Sequence, residues 1–217
     1  MTKKEDPRVG SFFTRRARLW DNLYDSPSPF WGRFNRLLRR GIFLRAELTL
    51  RVCKEANCRS VLDVGCGSGR VSALLAANGI EHVAGVDVAT PMIELAKQLV
   101  QKRGVANACE FLVSDFLNFD SEDRYDAVIA LGVFDYLVAP VAFLCKMRSL
   151  ATKCVLFSVP SPTLVRMPLR KIRYTLRGCP VYFYRRSQLR QMLVNAGFQR
   201  FDIHRITLGG YGAVGWV

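Results

Sequence analysis

The chain has 217 residues, half of them hydrophobic, and a formal net charge of +14. That length suits one α/β domain with a real core, and the composition excludes disorder beyond the termini. No apolar run reaches the ~18 residues of a membrane-spanning helix, and MTKKEDPRVG carries charge without the apolar segment of a signal peptide, so a cytoplasmic protein is expected.

The charge is segregated. Residues 1–60 carry 14 basic and 6 acidic side chains, residues 61–140 carry 5 and 11, and residues 141–217 carry 13 and 1. An acidic centre between basic flanks predicts two working surfaces, where a nucleic-acid coat would be basic throughout. The seven cysteines are scattered with no C-x-x-C pair and read as reduced thiols. The two histidines, His82 and His204, lie at no metal-ligand spacing, so no metal site is expected. Their scarcity also argues against a Ser-His-Asp or Cys-His hydrolase.

In chain order, residues 1–59 read as an N-terminal helical cap, rich in arginine and aromatics, with a turn at DSPSPF and a helix in FWGRFNRLLRRGIFLRAELTLRVC. From Ser60 the pattern changes to strand–helix alternation. SVLDV is a buried strand, RVSALLAANG a helix stopped by Gly79, and HVAGVDV a second strand. Thr90 and Pro91 supply an N-cap and first-turn proline for PMIELAKQLVQKRG, which Gly104 stops. CEFLVSDF and YDAVIALGV are strands three and four, a helix covers Val141 to Leu150, and CVLFSVP is strand five. SQLRQMLVNAGF is a later helix and FDIHRITL a further strand; with the chain ending at GAVGWV, a short or incomplete last hairpin is expected. The alternation predicts a doubly wound, mostly parallel Rossmann-like sheet over residues 60–217, with helices on both faces. The basic insert at 160–186 joins the N-terminal segment in a cap over the carboxyl ends of the strands, where open α/β sheets bind ligands.

The stretch VLDVGCGSGR chooses among glycine-rich loops. No lysine follows Gly69, against a phosphate loop, and Arg70 stands where a dinucleotide fingerprint from Gly65 needs its third glycine. The spacing G-x-G-x-G, with an acid two residues before the first glycine, resembles motif I of the class I S-adenosylmethionine-dependent methyltransferases. The alternative is a tight strand-to-helix turn with no ligand. Later strand ends extend the resemblance: GVDVATPM, LVSDFL and YDAVIALGVFDYL follow in the family's order, from about Ser60 to Pro160.

This resemblance implies a seven-stranded sheet and S-adenosylmethionine as cofactor, with S-adenosylhomocysteine as product. It implies a cofactor site at Asp63, Gly65, Cys66, Gly67 and Gly69, at Asp87, Val88 and Met92, at Ser114, Asp115 and Phe116, and at Leu131, Gly132 and Val133. Asp63 would accept from the cofactor's amino group and Asp87 from the ribose hydroxyls. The family places an acid such as Asp115 toward the adenine amino group, with Phe116 lining the base. Candidates beside the transferred methyl are Asp135 and Tyr136, where many relatives carry histidine or glutamate, and Tyr24 from the cap. Their alternative roles are a helix cap for Asp135 and wall residues for the tyrosines.

Arg166, Arg170, Lys171, Arg173 and Arg177 surround an apolar face of Val165, Leu169, Ile172 and Leu176 if helical, and FWGRFNRLLRRGIFLR has the same character. The alternative is a packed cap helix with an arginine-rich solvated face. The basic, apolar composition suits a small-molecule or lipid-like anionic acceptor, or peripheral contact with a membrane that presents one. The cap segments also resemble those of magnesium-protoporphyrin methyltransferases and their relatives, which esterify a carboxylate on a large apolar anion. Transfer of a methyl group to such an acceptor, at oxygen, is the expectation. An RNA or protein methyltransferase and a non-catalytic cofactor-binding subunit are the alternatives.

Overall fold

Residues 8–12, 14–15, 32–163, 179–207 and 209–217 are described by the computed structural model, residues 32–39 as helical backbone only. Seven strands form one sheet: β1 (Ser60–Val64), β2 (His82–Asp87), β3 (Cys109–Val113), β4 (Tyr125–Leu131), β5 (Ala151–Pro160), β6 (Arg200–Thr207) and β7 (Gly210–Trp216). The order is β3-β2-β1-β4-β5-β7-β6. The first five strands are mutually parallel, and β7 runs antiparallel between β5 and β6. Because β1 has β2 on one side and β4 on the other, the winding reverses there and leaves a crevice at the carboxyl ends of these strands.

The helices are α1 (Gly32–Glu55), α2 (Arg70–Ala77), α3 (Thr90–Lys102), α4 (Pro140–Leu150) and α5 (Arg186–Asn195). Alternate residues of the central strands enter opposite layers, as the pleat requires. Val61, Ile129, Leu156 and Val214 pack with Leu48, Val52 and Leu75 of α1 and α2. Leu62, Val128, Val155 and Phe157 pack on the other face with Phe143, Met147, Leu189 and Leu193 of α4 and α5. Both faces of the parallel strands are therefore apolar, which is why they read as continuous hydrophobic runs.

Three local expectations are corrected. Thr90 is the first helical residue rather than the cap: Ala89 is the N-cap, and its N–H donates to Asp87 Oδ1 at 2.9 Å. The third strand ends at Val113, because Asp115 accepts from the Leu117 N–H at 2.9 Å and turns the chain into a 3-10 turn, Phe116–Asn118. The last hairpin is complete: β7 pairs along its length with β5 and with β6.

Helix α1 leads into β1 and runs back across the sheet, so its N-terminal half lies at the carboxyl ends of the strands. A methyl group at Gly41 would sit 3.6 Å from Thr207 Cγ2 at the end of β6. Further along, Leu48, Val52 and Cys53 are core residues. The helix ends in a left-handed residue, Asn57 (φ 48°), after which Cys58 N–H returns to Cys53 O at 2.8 Å.

Candidate functional site

The loop after β1 is held by the end of β2. Gly65 N–H and Cys66 N–H both donate to Val86 O, at 2.8 and 3.1 Å. Asp87 Oδ2 accepts from Gly67 N–H at 3.0 Å, so one carboxylate grips the loop and the start of α3 together. These bonds use part of its acceptor capacity, leaving lone pairs for hydroxyl donors. Burial pushes the Asp87 carboxyl up, against the bonds from Ala89 and Gly67.

The glycines of this loop serve different ends. Gly65 takes φ +67°, and a methyl group there would lie 2.4 Å from Val133 Cγ2, so the loop packs directly on the segment after β4. Gly67 takes φ +53° with no heavy atom within 4 Å of its would-be methyl group: a cradle where a ligand can approach the backbone. Gly69 permits contact with α3, a methyl group there lying 2.7 Å from Ala96 Cβ.

Asp63, 2% exposed, lies beneath the loop and accepts from Ser72 Oγ at 2.7 Å. Burial pushes its carboxyl up to about 6, with Asp87 adding to the shift and the Ser72 bond opposing it. A buried acid held above its ordinary range is poised to ionise when a cation arrives. Cys66 is half-buried, and burial, then Asp63 and Asp87, raise its thiol.

Across the crevice, Ser158 Oγ accepts from Gly132 N–H at 2.9 Å and fixes the end of β4. Arg45 of α1 reaches the same place: methyl groups at Gly132 and Gly210 would lie 3.3 Å from its Nη1 and 4.0 Å from its Nη2. It is half-buried, and no ion pair joins it to a carboxylate among the described residues. Acids thus face one side of the crevice and a cation the other. That donor set fits an amino-acid-bearing nucleoside: Asp63 for the ammonium, Arg45 for the carboxylate, Asp87 for ribose hydroxyls. Among the described residues no group of histidine, cysteine or carboxylate side chains is arranged to hold a metal ion.

The fold brings Asp63, Gly65, Cys66, Gly67, Asp87, Val88, Ser114, Asp115, Leu131, Gly132 and Val133 to the carboxyl ends of four adjacent strands, β1 to β4. Asp115 holds its local turn, with Leu117 N–H on Oδ1 and Asn118 Nδ2 on Oδ2 at 3.2 Å. Two expected members are packed into apolar clusters. The Phe116 ring, 2% exposed, is a core side chain against Phe143 (centroids 4.7 Å apart). Met92 is buried beside Ala89 and Leu95.

Of the candidates beyond β4, Asp135 and Tyr136 lie in the 3-10 turn Phe134–Tyr136, 2% and 6% exposed. Tyr136 packs with Phe12, Cys179 and Val181, and Asp135 O accepts from Tyr182 N–H at 2.7 Å. The N-terminal stretch therefore covers this corner, and a methyl group at Gly10 would lie 3.5 Å from Val88. Tyr184, unforeseen in sequence, donates to Phe134 O at 3.1 Å; burial raises its hydroxyl and the nearby Asp135 adds to this. Tyr24 and the insert residues 164–178 lie outside the described residues.

Arg45 is the main residue that sequence reasoning missed. Its signal was present: positions 45, 48 and 52 form one helical stripe, and Arg45 is a cation on it beside Leu48 and Val52. Ser72 and Ser158 carried no comparable signal.

A family profile described as a methyltransferase domain matches residues 55–197. The chain is 36% identical over 94 residues to a ubiquinone biosynthesis O-methyltransferase of Rickettsia conorii, covering 43% of this chain and 31% of that protein. It is 28% identical over 139 residues to the mitochondrial ubiquinone biosynthesis O-methyltransferase of Arabidopsis thaliana, covering 61% of this chain and 42% of that protein. The chain thus spans less than half the length of these curated relatives. In fold it is similar to magnesium protoporphyrin IX methyltransferase of Synechocystis, solved with bound SAH: TM-score 0.79, 24% identity, 97% of this chain and 99% of that one.

Proposed function

Since this chain belongs to the class I S-adenosylmethionine-dependent methyltransferases, we propose that it methylates an oxygen, specifically a carboxylate, of an anionic and partly apolar small molecule. The observation that carries this reading is the placement of α1. It brings Arg45, exposed Arg40 and Phe43, which is 68% exposed, toward the strand ends, opposite the acids of the loop side.

The donor, when bound, supplies a methyl group already activated by its sulfonium. Asp63 would hold the ammonium end, Arg45 the carboxylate and Asp87 the ribose hydroxyls. Gly67 would let that ligand reach the loop backbone. Gly132, fixed by Ser158, and Val133, packed on Gly65, would line the site across from it. A carboxylate acceptor is deprotonated at neutral pH and needs no general base. The burial of Asp135 and Tyr136 supports such an acceptor, because neither is open to take a proton from one. The basic flanks then screen the acceptor's charge and draw it to the crevice or to an anionic membrane surface that presents it.

The test offers labelled donor with carboxylated amphiphiles, porphyrin carboxylates and long-chain acids among them, each beside its neutral amide. Transfer to the acid as a base-labile ester, and none to the amide, is the expected result. A rate increase when the acid is presented in anionic vesicles, lost at high salt, would support delivery from a membrane. Label appearing only in RNA or protein would overturn the reading.

A further inference from the structure

The edge of the sheet carries a second opening. Helix α5 packs on the edge strand β6, and beside the two lies a cavity of about 440 Å³, lined by Phe201 to His204 of the strand and by the first turns of the helix. In the sheet β6 is separated from β1 by β4, β5 and β7, roughly 19 Å at about 4.8 Å per strand, so this cavity is not part of the donor crevice.

Its lining is cationic against an apolar wall. Phe201 and Ile203 are half-buried and pack on the core layer of α4 and α5. The Arg190 guanidinium lies over the Phe201 ring, 5.6 Å from its centroid, which holds that charge at the cavity. Arg186, also in the lining, precedes it by four residues, so both arginines share one face of α5. His204 adds its ring nitrogens from the strand. The one acid of the lining, Asp202, is engaged: its Oδ2 accepts from Trp216 Nε1 at 2.9 Å. Among the described residues no carboxylate pairs with Arg186, Arg190 or His204.

These arginines stand where a helix ordinarily avoids them. The start of a helix is the positive end of its dipole and favours acidic side chains, yet the first turn of α5 has none and follows Arg185 with Arg186. Such crowding of positive charge is unfavourable in the free protein, and an anion bound between Arg186, Arg190 and His204 relieves it.

We infer that this cavity binds a phosphate monoester. Two guanidinium forks match the oxygens of a tetrahedral dianion, with Ser187 Oγ and His204 as further donors. The cavity has the size of a small-ligand pocket and exceeds a bare phosphate, so the wall of Phe201 and Ile203 is left for the organic part. The site stands apart from the identity of the methyl acceptor.

The test titrates phenyl phosphate calorimetrically into the full chain, into Arg186→Gln/Arg190→Gln and into Lys102→Gln/Arg103→Gln, which removes two exposed charges at the C-terminus of α3. Saturable one-to-one binding is expected, weakened at least about tenfold by the first variant and unchanged in the second. Equal affinity in all three, equal weakening by both variants, or no binding by the natural protein would overturn the inference. Circular dichroism checks each fold, and Arg186→Gln alone, at an exposed position, repeats the test should the double variant not fold. Co-sedimentation with phosphatidylcholine vesicles containing phosphatidic acid then separates two sources of the phosphate. Retention that Arg186→Gln/Arg190→Gln abolishes assigns it to a lipid headgroup; retention absent, or unchanged in that variant, assigns the phosphate bound in the calorimeter to a soluble metabolite.

Discussion

Asp63 shows how one buried residue connects folding, pH and binding. Its carboxyl titrates near 6 in the folded chain, because burial disfavours its charge, and near 4 when unfolded. Below pH 4 it is neutral in both states and costs nothing. Between about 4 and 6 the unfolded chain loses the proton first, so stability falls as pH rises, by about 3 kcal/mol in all. The donor's ammonium reverses this preference by stabilising the carboxylate. Donor affinity should therefore rise with pH up to about 6, with proton release at the acid end, and fall again near pH 8 as the donor's own ammonium loses its proton; Asp63→Asn should remove the rise at the acid end. Calorimetric dissociation constants between pH 5 and 8 check this, and a flat profile in the natural protein would contradict it. At this scale the sequence was legible where chemistry depends on strand ends. The strand-end placement of Asp63 and Asp87 was readable from position alone. The burial of Phe116 and Met92 was not, because which way a side chain turns after a strand depends on the local turn, here set by Asp115 and Ala89.

At the scale of elements, the β1–α2 loop separates structural from functional glycine. Gly65 and Gly67 both sit at positive φ, so alanine at either costs about 1–2 kcal/mol of backbone strain. Only Gly65 is also packed, with Val133 2.4 Å from a would-be methyl group. Gly65→Ala should lower the melting temperature markedly, whereas Gly67→Ala should lower it little and still weaken donor binding at least about tenfold, since its methyl group fills the cradle. Thermal melts with and without donor separate the two, and equal destabilisation would contradict this assignment. Most elements were legible because 3.6- and 2-residue periodicities are local. Helix α1 was readable as a helix, but not as a contributor to the core: that Leu48 and Val52 meet Leu156 and Val214 is decided by tertiary packing. The closing hairpin was underestimated for a similar reason. GYGAVGW has few bulky residues, yet β7 is held between two strands, and its glycines admit Leu48, Ile206 and Phe198.

At the scale of the molecule, charge and topology agree. The acidic middle of the sequence builds the strands that reverse at β1 and hold the loop, and the basic flanks supply α1 and the segment before α5. No helix among the described residues is long and apolar enough to cross a membrane. We propose that the crevice between β2, β1 and β4 holds S-adenosylmethionine through Asp87, with Asp63 and Arg45 at its amino-acid end. Calorimetric titration of S-adenosylmethionine into the natural protein and into Asp87→Ala at neutral pH tests this, with circular dichroism confirming an unchanged fold. Two lost hydrogen bonds to a charged acceptor, about 1.5–3 kcal/mol each, predict saturable one-to-one binding in the first and affinity lowered at least about 100-fold in the second. Equal affinity in a folded variant, or no binding by the natural protein, would contradict the account.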